Sequence, residues 1–452
     1  MVRPITNAAF DALLRAAGYG SAHAAFARQL NYAGRAHGTW RYDAASVYWW
    51  LRGRRPAEHV QDAMAETLAR KLGRPVAPTE LGFTSTDVVP HAGYPASVEH
   101  AVTSAERLWA VLAGQAHTAP GGAFQSGLAL QAALAWRYDL PDRVVARSGR
   151  QRVTDADVRS LYALADHFTD LDRRHGGGSL HTRALMADLL VRQVAPMLRG
   201  TYTAAVGRDL MRATATLSGQ LAFMSYDAGV HNIAQHHVTI ALRLAKAAGD
   251  RLYGAHLLAN LATQAVYLGH ARDAARLAEA AIDGAGRAPA VIRARLYTAA
   301  ASAYGVSGGR RACQSALVRA ERAIDRADPV GSPRWVAYFS PAHFAGTALS
   351  CLSTLRLFGP ALRHAPDAVA LANQNVRTRA LHTALIATTH ARSGDLEAAC
   401  NWGGELALCM PAVRSARVTH RVSELMTTLN AHKTVPRVKK LLHTLAAPTA
   451  LG

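Results

Sequence analysis

After residue 208 the chain returns repeatedly to one spacing. Gly229 is followed five residues on by Ala234 and seven further by Ala241; Gly269, Ala274 and Ala281 repeat the step. Gly308, Cys313 and Ala320 do so with one small-residue exchange. Gly394 and Ala399 keep the first step and place Leu406 at the second, whereas Gly359 fits only with a one-residue slip, at Ala365 and Ala372. Each glycine is read as closing the first helix of a pair, where a left-handed residue is needed. Each small residue marks a point where helices touch. Helix pairs of this kind cannot bury an apolar face alone, so they stack into a superhelix with a concave side.

Composition points the same way. Half of the 452 residues are apolar but only 7% are aromatic, and alanine is abundant. Val, Ile and Thr rarely form the alternating runs a sheet needs, so the expected class is all-α. The length allows two or more domains. Residues 1–83 read as a helix-turn-helix bundle, 84–153 as a helical linker region around Trp109 and Trp136, and 154–452 as the repeats. The linker region carries Pro90, Pro95, Pro120 and Gly121-Gly122.

The formal charge of +20 favours an acidic partner, most simply nucleic acid. Residues 1–83 hold 11 Lys and Arg against 6 Asp and Glu, so the excess is not confined to one end. Cys313, Cys351, Cys400 and Cys409 lack any C-x-x-C spacing and read as free thiols. No signal-peptide core and no run of ~18–20 apolar residues is seen. The expected setting is cytoplasmic, with no membrane partner.

The N-terminal part has one stretch with a start, an inner face and a stop. Asp43 suits a helix N-cap. Val47, Trp50 and Leu51 form one apolar stripe, Gly53 suits the left-handed end, and Pro56 prevents continuation. Adjacent Trp49 and Trp50 cannot face the same way, and Trp50 is assigned to the core. Before this stretch, Thr6 or Asn7 can cap a first helix and Ser21 a second. After it, Val60, Ala63, Met64, Leu68 and Leu72 mark a closing helix that ends at Gly73. A slim helix flanked by guanidinium groups is what major-groove recognition needs. Ala44, Ser46, Tyr48 and Trp49 are the candidate base-facing residues, with Arg41, Arg52, Arg54 and Arg55 for phosphates. The rival reading is a helical bundle whose motif is only structural.

Ser21 to Leu30 and Asp43 to Pro56 resemble the lambda-repressor/Cro-type helix-turn-helix. Ala27 stands at its small position, Val47 at its aliphatic one, and Arg52-Gly53-Arg54-Arg55-Pro56 at its basic closing turn. The connection Asn31 to Tyr42 is longer than the usual tight turn, and Ala44, Ala45 and Trp49 replace polar residues of the reading face. Intervals of 40, 39, 51 and 35 residues between the repeat glycines compare with about 34 in tetratricopeptide repeats, which the helix pairs resemble. Leu171 to Gly178, Ala195 to Gly200 with Tyr202, Tyr226 to Gly229 and Tyr267 to His270 extend the resemblance. Together they are similar to actinobacterial helix-turn-helix/tetratricopeptide regulators related to negative regulators of sporulation and antibiotic production in Streptomyces. That resemblance implies a homodimeric regulator of double-stranded DNA, a repressor, with a peptide or small-molecule effector in the repeat groove. The alternative is a protein-interaction scaffold with a degenerate helix-turn-helix.

Groove candidates are Tyr226, Asn232, His256, Asn260, Gln264 and Tyr267, taken as polar positions on first helices. Trp335 and Tyr338 belong to the aromatic run Arg334 to Phe339, which either lines the groove or packs as core. His231, Gln235, His236 and His237 lack the partners of a metal set and read as surface or groove residues. Gly176-Gly177-Gly178 reads as helix termination, since no G-x-x-x-x-G-K-[ST] pattern is present. No nucleophile elbow, kinase set or H-E-x-x-H occurs, so no catalytic residue, metal or cofactor is assigned and no enzyme is expected.

Overall fold

The computed structural model describes residues 5, 7–33, 40–52, 54, 56–83, 93–114, 123–140, 142, 147, 149–328, 332–372 and 375–446. Thr6, Gly53, Arg55, Pro90, Pro120, Gly121 and Gly122 lie outside them.

Helices α1 (Ala8–Ala16), α2 (His23–Ala33), α3 (Ala44–Trp50) and α4 (Glu58–Leu72) enclose a core of their own, with Phe10, Phe26, Leu30, Val47 and Met64 at its centre. Asn7 caps α1, accepting from Phe10 N at 3.0 Å, and donates to the Leu81 carbonyl at 2.8 Å. One buried amide thus joins the beginning of this unit to its end. Gly73 ends α4 with φ 68°, the left-handed stop read from the sequence.

Helices α5 (Val98–Gly114) and α6 (Ser126–Tyr138) share their core with the repeats rather than bridging two cores. Trp109 is fully buried. Trp136 lies on Gly254 and Gly284, where any Cβ would overlap its ring, so two helical glycines make room for one indole. Asp62 accepts from Ala123 N at 2.6 Å and ties the N-terminal unit to this region.

Next come α7 (Asp155–His175), capped by a Thr154/Asp157 capping box, then α8 (Leu180–Leu189) and the short α9 (Ala195–Leu198). The stacked pairs follow: α10 (Ala204–Asp227) with α11 (His231–Ala247), α12 (Arg251–Tyr267) with α13 (Ala271–Ala285), and α14 (Ala290–Val306) with α15 (Arg310–Ile324). In the next pair, α16 (Pro341–Thr354) faces a second helix broken into α17 (Phe358–Leu362) and α18 (Ala365–Val369), with Pro366 in the first turn of α18. The last pairs are α19 (Val376–Ser393) with α20 (Leu396–Cys409), and α21 (Ala416–Asn430) with α22 (Pro436–Ala446). Among the described residues no strand forms, only isolated bridges at Arg147–Tyr202 and Arg152–Thr201. The fold is all-α, a helical bundle followed by a solenoid of helix pairs.

The turns inside the pairs share one hydrogen-bond scheme. Gly229 N donates to Tyr226 O at 3.1 Å and Val230 N to Ser225 O at 2.9 Å; the same two bonds recur at Gly269, Gly308 and Gly394. These glycines have φ between 77° and 90°. In the α16–α17 turn the left-handed residue is Arg356 (φ 59°), which bonds Ser353 O at 3.0 Å, while Leu357 N bonds Leu352 O at 2.9 Å. Gly359 lies inside α17, so its assignment as the turn residue is corrected. Counted from Arg356, the small residues fall on Ala361 and Ala368, both wholly buried, and the apparent slip disappears.

Cys313, Cys351 and Cys400 are buried free thiols and Cys409 is half-buried. Among the described residues no helix is long and apolar enough to cross a membrane.

Candidate functional site

The first candidate surface is the outer face of α3. Asp43 accepts from Ser46 N at 2.8 Å, and the Ser46 hydroxyl donates to Asp43 at 2.8 Å while accepting from Asp43 N at 3.3 Å. These bonds, the Ser46 amide first, hold the Asp43 carboxyl below its ordinary range. Val47, Trp50 and Leu51 are buried, and Trp50 is 4% exposed against 41% for Trp49. The two indoles therefore face opposite ways. The Arg52 guanidinium lies 3.4 Å over the Tyr48 ring centroid and donates to the Tyr48 carbonyl at 3.1 Å. What projects outward is Arg41, Ala44, Ala45, Trp49 and Arg54. Ser46 is engaged by the cap and Tyr48 by Arg52. Arg55 lies outside the described residues.

The long connection before α3 is closed by a residue that the sequence reading passed over. The Asn31 amide donates to Tyr42 O at 2.8 Å and accepts from Tyr42 N at 2.9 Å. It fixes the chain as it returns to start α3, whatever the length of the connection.

The second candidate is a cavity of about 1450 Å³ bounded by α7, α10, α12, α14, α16, α19 and α21. His256, Asn260, Trp335 and Tyr338 line it. The aromatic run divides: Trp335, Tyr338 and the largely buried Phe339 line the cavity, while Val336 is buried as core. Tyr226, Asn232, Gln264 and Tyr267 do not line it. Tyr226 lies under the Arg417 guanidinium at 4.7 Å, and Tyr267 meets His420 at 2.9 Å. Gln264 donates to the His231 carbonyl at 2.9 Å. Asn232 stands on α11, a second helix, because the Gly229 turn ends one residue before α11 begins. His236 and His237, read as surface or groove residues, are instead buried in α11, and burial holds His237 well below its ordinary value. Gln235 beside them clasps the Gln125 backbone with bonds of 2.8 and 2.7 Å.

At one wall of the cavity Arg295 gathers polar side chains. It donates to Tyr338 Oη at 3.0 Å, Asn260 Oδ1 at 2.9 Å and Thr263 Oγ1 at 3.3 Å. An arginine only donates, so Asn260 presents its oxygen there and its Nδ2 to His256 Nε2 at 3.1 Å. Burial, then Arg295, pushes His256 down to about 3, so its ring is neutral and carries its proton on Nδ1. That nitrogen is buried and has no acceptor among the described residues.

At the other end, a buried ion network joins helices far apart in sequence. Arg377 lies 2.7 Å from Asp172 and 3.5 Å from Asp227. Arg417 lies 2.7 Å from Asp227, which also accepts from Ser415 Oγ at 2.7 Å and Gly177 N at 2.9 Å. Burial would raise Asp227, but Arg417 and Arg377 outweigh it and hold the carboxyl below its ordinary range. The glycine triplet makes this approach possible. Gly176 ends α7, and Gly178 N donates to Arg414 O at 2.8 Å. A Cβ at Gly176 or Gly178 would stand 2.5 Å from that carbonyl, and one at Gly177 2.6 Å from Met224 Cα. Helix termination is thus only half the role of the triplet; it also clasps α7 to the segment before α21.

Among known families, the model described as the SP15 N-terminal domain matches residues 10–84, the part of the chain that holds most of α1 and all of α2 to α4. No curated protein matches the chain.

Proposed function

We propose that the chain is a cytoplasmic, sequence-specific DNA-binding transcriptional regulator, a repressor, that acts as a homodimer on double-stranded DNA. The observation that carries this reading is α3. Its inner stripe is buried, and Ala44, Ala45 and Trp49 are exposed on its outer face between Arg41 and Arg54. Guanidinium groups at the two ends of a slim helix suit phosphate contact on either side of a groove. The cavity among the repeats is the sensory site in this reading. A ligand there would act only by binding the DNA-competent and incompetent states with different affinity. Two copies would read two half-sites related by a twofold axis.

A second reading rests on the same face. Ala44, Ala45 and exposed Trp49 offer few base-edge donors, and the Ser46 hydroxyl is held by the cap. An exposed tryptophan set edge to face with Tyr48 also suits a protein partner. Gel shifts on promoter fragments over a range of salt separate the two. DNA binding should weaken steeply with salt, and Arg54→Ala with Arg55→Ala should weaken it further and reduce the salt slope. Undiminished binding by the double variant would refute these phosphate contacts.

A further inference from the structure

Arg295 is more deeply buried than Arg159 and Arg173, which also line the cavity, and it differs from Arg334, Arg377 and Arg212 in having no carboxylate partner among the described residues. Arg334 is matched by Asp166 at 2.6 Å, Arg377 by Asp172 at 2.7 Å and Arg212 by Asp250 at 3.4 Å. Arg295 is 9% exposed, and every acceptor it meets among the described residues is neutral: a phenol, an amide and a hydroxyl. Its Nη1 takes no acceptor from them. A buried guanidinium without a carboxylate is an incomplete arrangement, because burying a charge is costly unless an opposite charge or a full set of acceptors answers it. His256 Nδ1 adds a second donor without an acceptor beside it. This corner of the cavity is therefore rich in donors and short of acceptors.

The wall around those donors is aromatic. The Trp335 ring lies 4.8 Å from His256 and 5.3 Å from Tyr253, and Tyr338 lies 6.2 Å from His256. Trp335 and Tyr338 keep part of their surface open to the cavity. Flat apolar faces beside one fixed cation select a ligand that has a ring and an acid group on the same small molecule. The cavity is larger than the roughly 300–1,000 Å³ of a typical ligand pocket, so it admits such a molecule with substituents.

We propose that this corner binds a small aromatic carboxylic acid, its carboxylate on Arg295 and its ring against Trp335 and Tyr338. The carboxylate supplies the charge that Arg295 lacks, and its planar oxygens suit a guanidinium. This inference deepens the sensory role proposed for the cavity by giving its ligand a chemical class. It stands apart from any reading of DNA.

The test uses the full chain and an isosteric pair, 1-naphthylacetate and its uncharged amide, 1-naphthylacetamide, read by ligand-observed NMR and calorimetric titration. The acid should bind at a saturable site and about tenfold more tightly than the amide, the scale of one charge-assisted hydrogen bond. Arg295→Gln should abolish that preference, bringing acid and amide to equal affinity, and Arg295→Lys should restore part of it. Where circular dichroism shows that Arg295→Gln does not fold, Arg295→Lys and Trp335→Ala carry the test: the first should lower the acid's advantage, the second should weaken both ligands. Equal binding of acid and amide by the wild type, no binding of either, or an acid preference that survives Arg295→Gln would overturn the proposal. The titration contains no DNA, so failure of the gel shift would leave its result standing.

Discussion

His256 shows how one buried side chain reports on the whole fold. Its ring is neutral because burial, with Arg295 beside it, has pushed its proton affinity down to about 3. The unfolded chain protonates the same ring near the ordinary value of 6.5. Between these two pH values the unfolded state binds the extra proton, so stability falls as pH falls through that window. The slope from this one residue is about 1.4 kcal/mol per pH unit. Burial holds His231, His237 and His343 down in the same way, so replacing one ring with a side chain that does not titrate, His256→Gln, should lower the slope of urea-unfolding stability against pH between 3 and 6.5 by about 1.4 kcal/mol per unit. An unchanged slope would show that the ring protonates equally well in both states. The sequence pointed to His256 and Asn260 as polar positions on a first helix, and both line the cavity, whereas Tyr226, Gln264 and Tyr267, chosen on the same ground, do not. It could not reveal Arg295, Asp172 or Arg377. Their roles depend on partners up to 205 residues away, and no local spacing encodes such a meeting.

At the level of helices and turns, local chemistry was far more readable. Asp43, Asn7, Gly73 and the stripe Val47, Trp50 and Leu51 do what their residue types dictate, because caps and stripes are set within one or two turns of chain. The exception is informative. Arg356 holds a left-handed conformation that a side chain disfavours, and the nearby Gly359 drew the eye to the wrong position. Arg356→Gly should raise stability by about 1 kcal/mol, the order of the left-handed penalty. Gly269→Ala in the equivalent turn should lower it by a similar amount, since no neighbour there would obstruct the added Cβ. Unfolding midpoints of the two variants moving in the same direction would contradict the equivalence of these turns.

Across the whole molecule, two devices hold helices against one another. Trp136 is sunk between α12 and α13, and the glycine clasp with Asp227, Arg377 and Arg417 ties α7 to α19 and α21. Removing one member leaves charge buried without an answer. Arg377→Ala should therefore cost about 3–5 kcal/mol of stability, whereas a surface pair such as Arg174–Asp170 should cost under about 1 kcal/mol. Similar small losses in both variants would mean that the clasp does not hold the solenoid closed. The function proposed for this frame rests on α3, whose reading face is exposed yet poor in hydrogen-bond donors. Selection of binding sites from a random DNA library by the purified full chain tests it most directly. The expected result is an enriched, twofold-symmetric motif that is lost when Arg41 and Arg54 are both replaced by alanine. Recovery of no motif above the input library would contradict DNA recognition and leave α3 as a surface for protein.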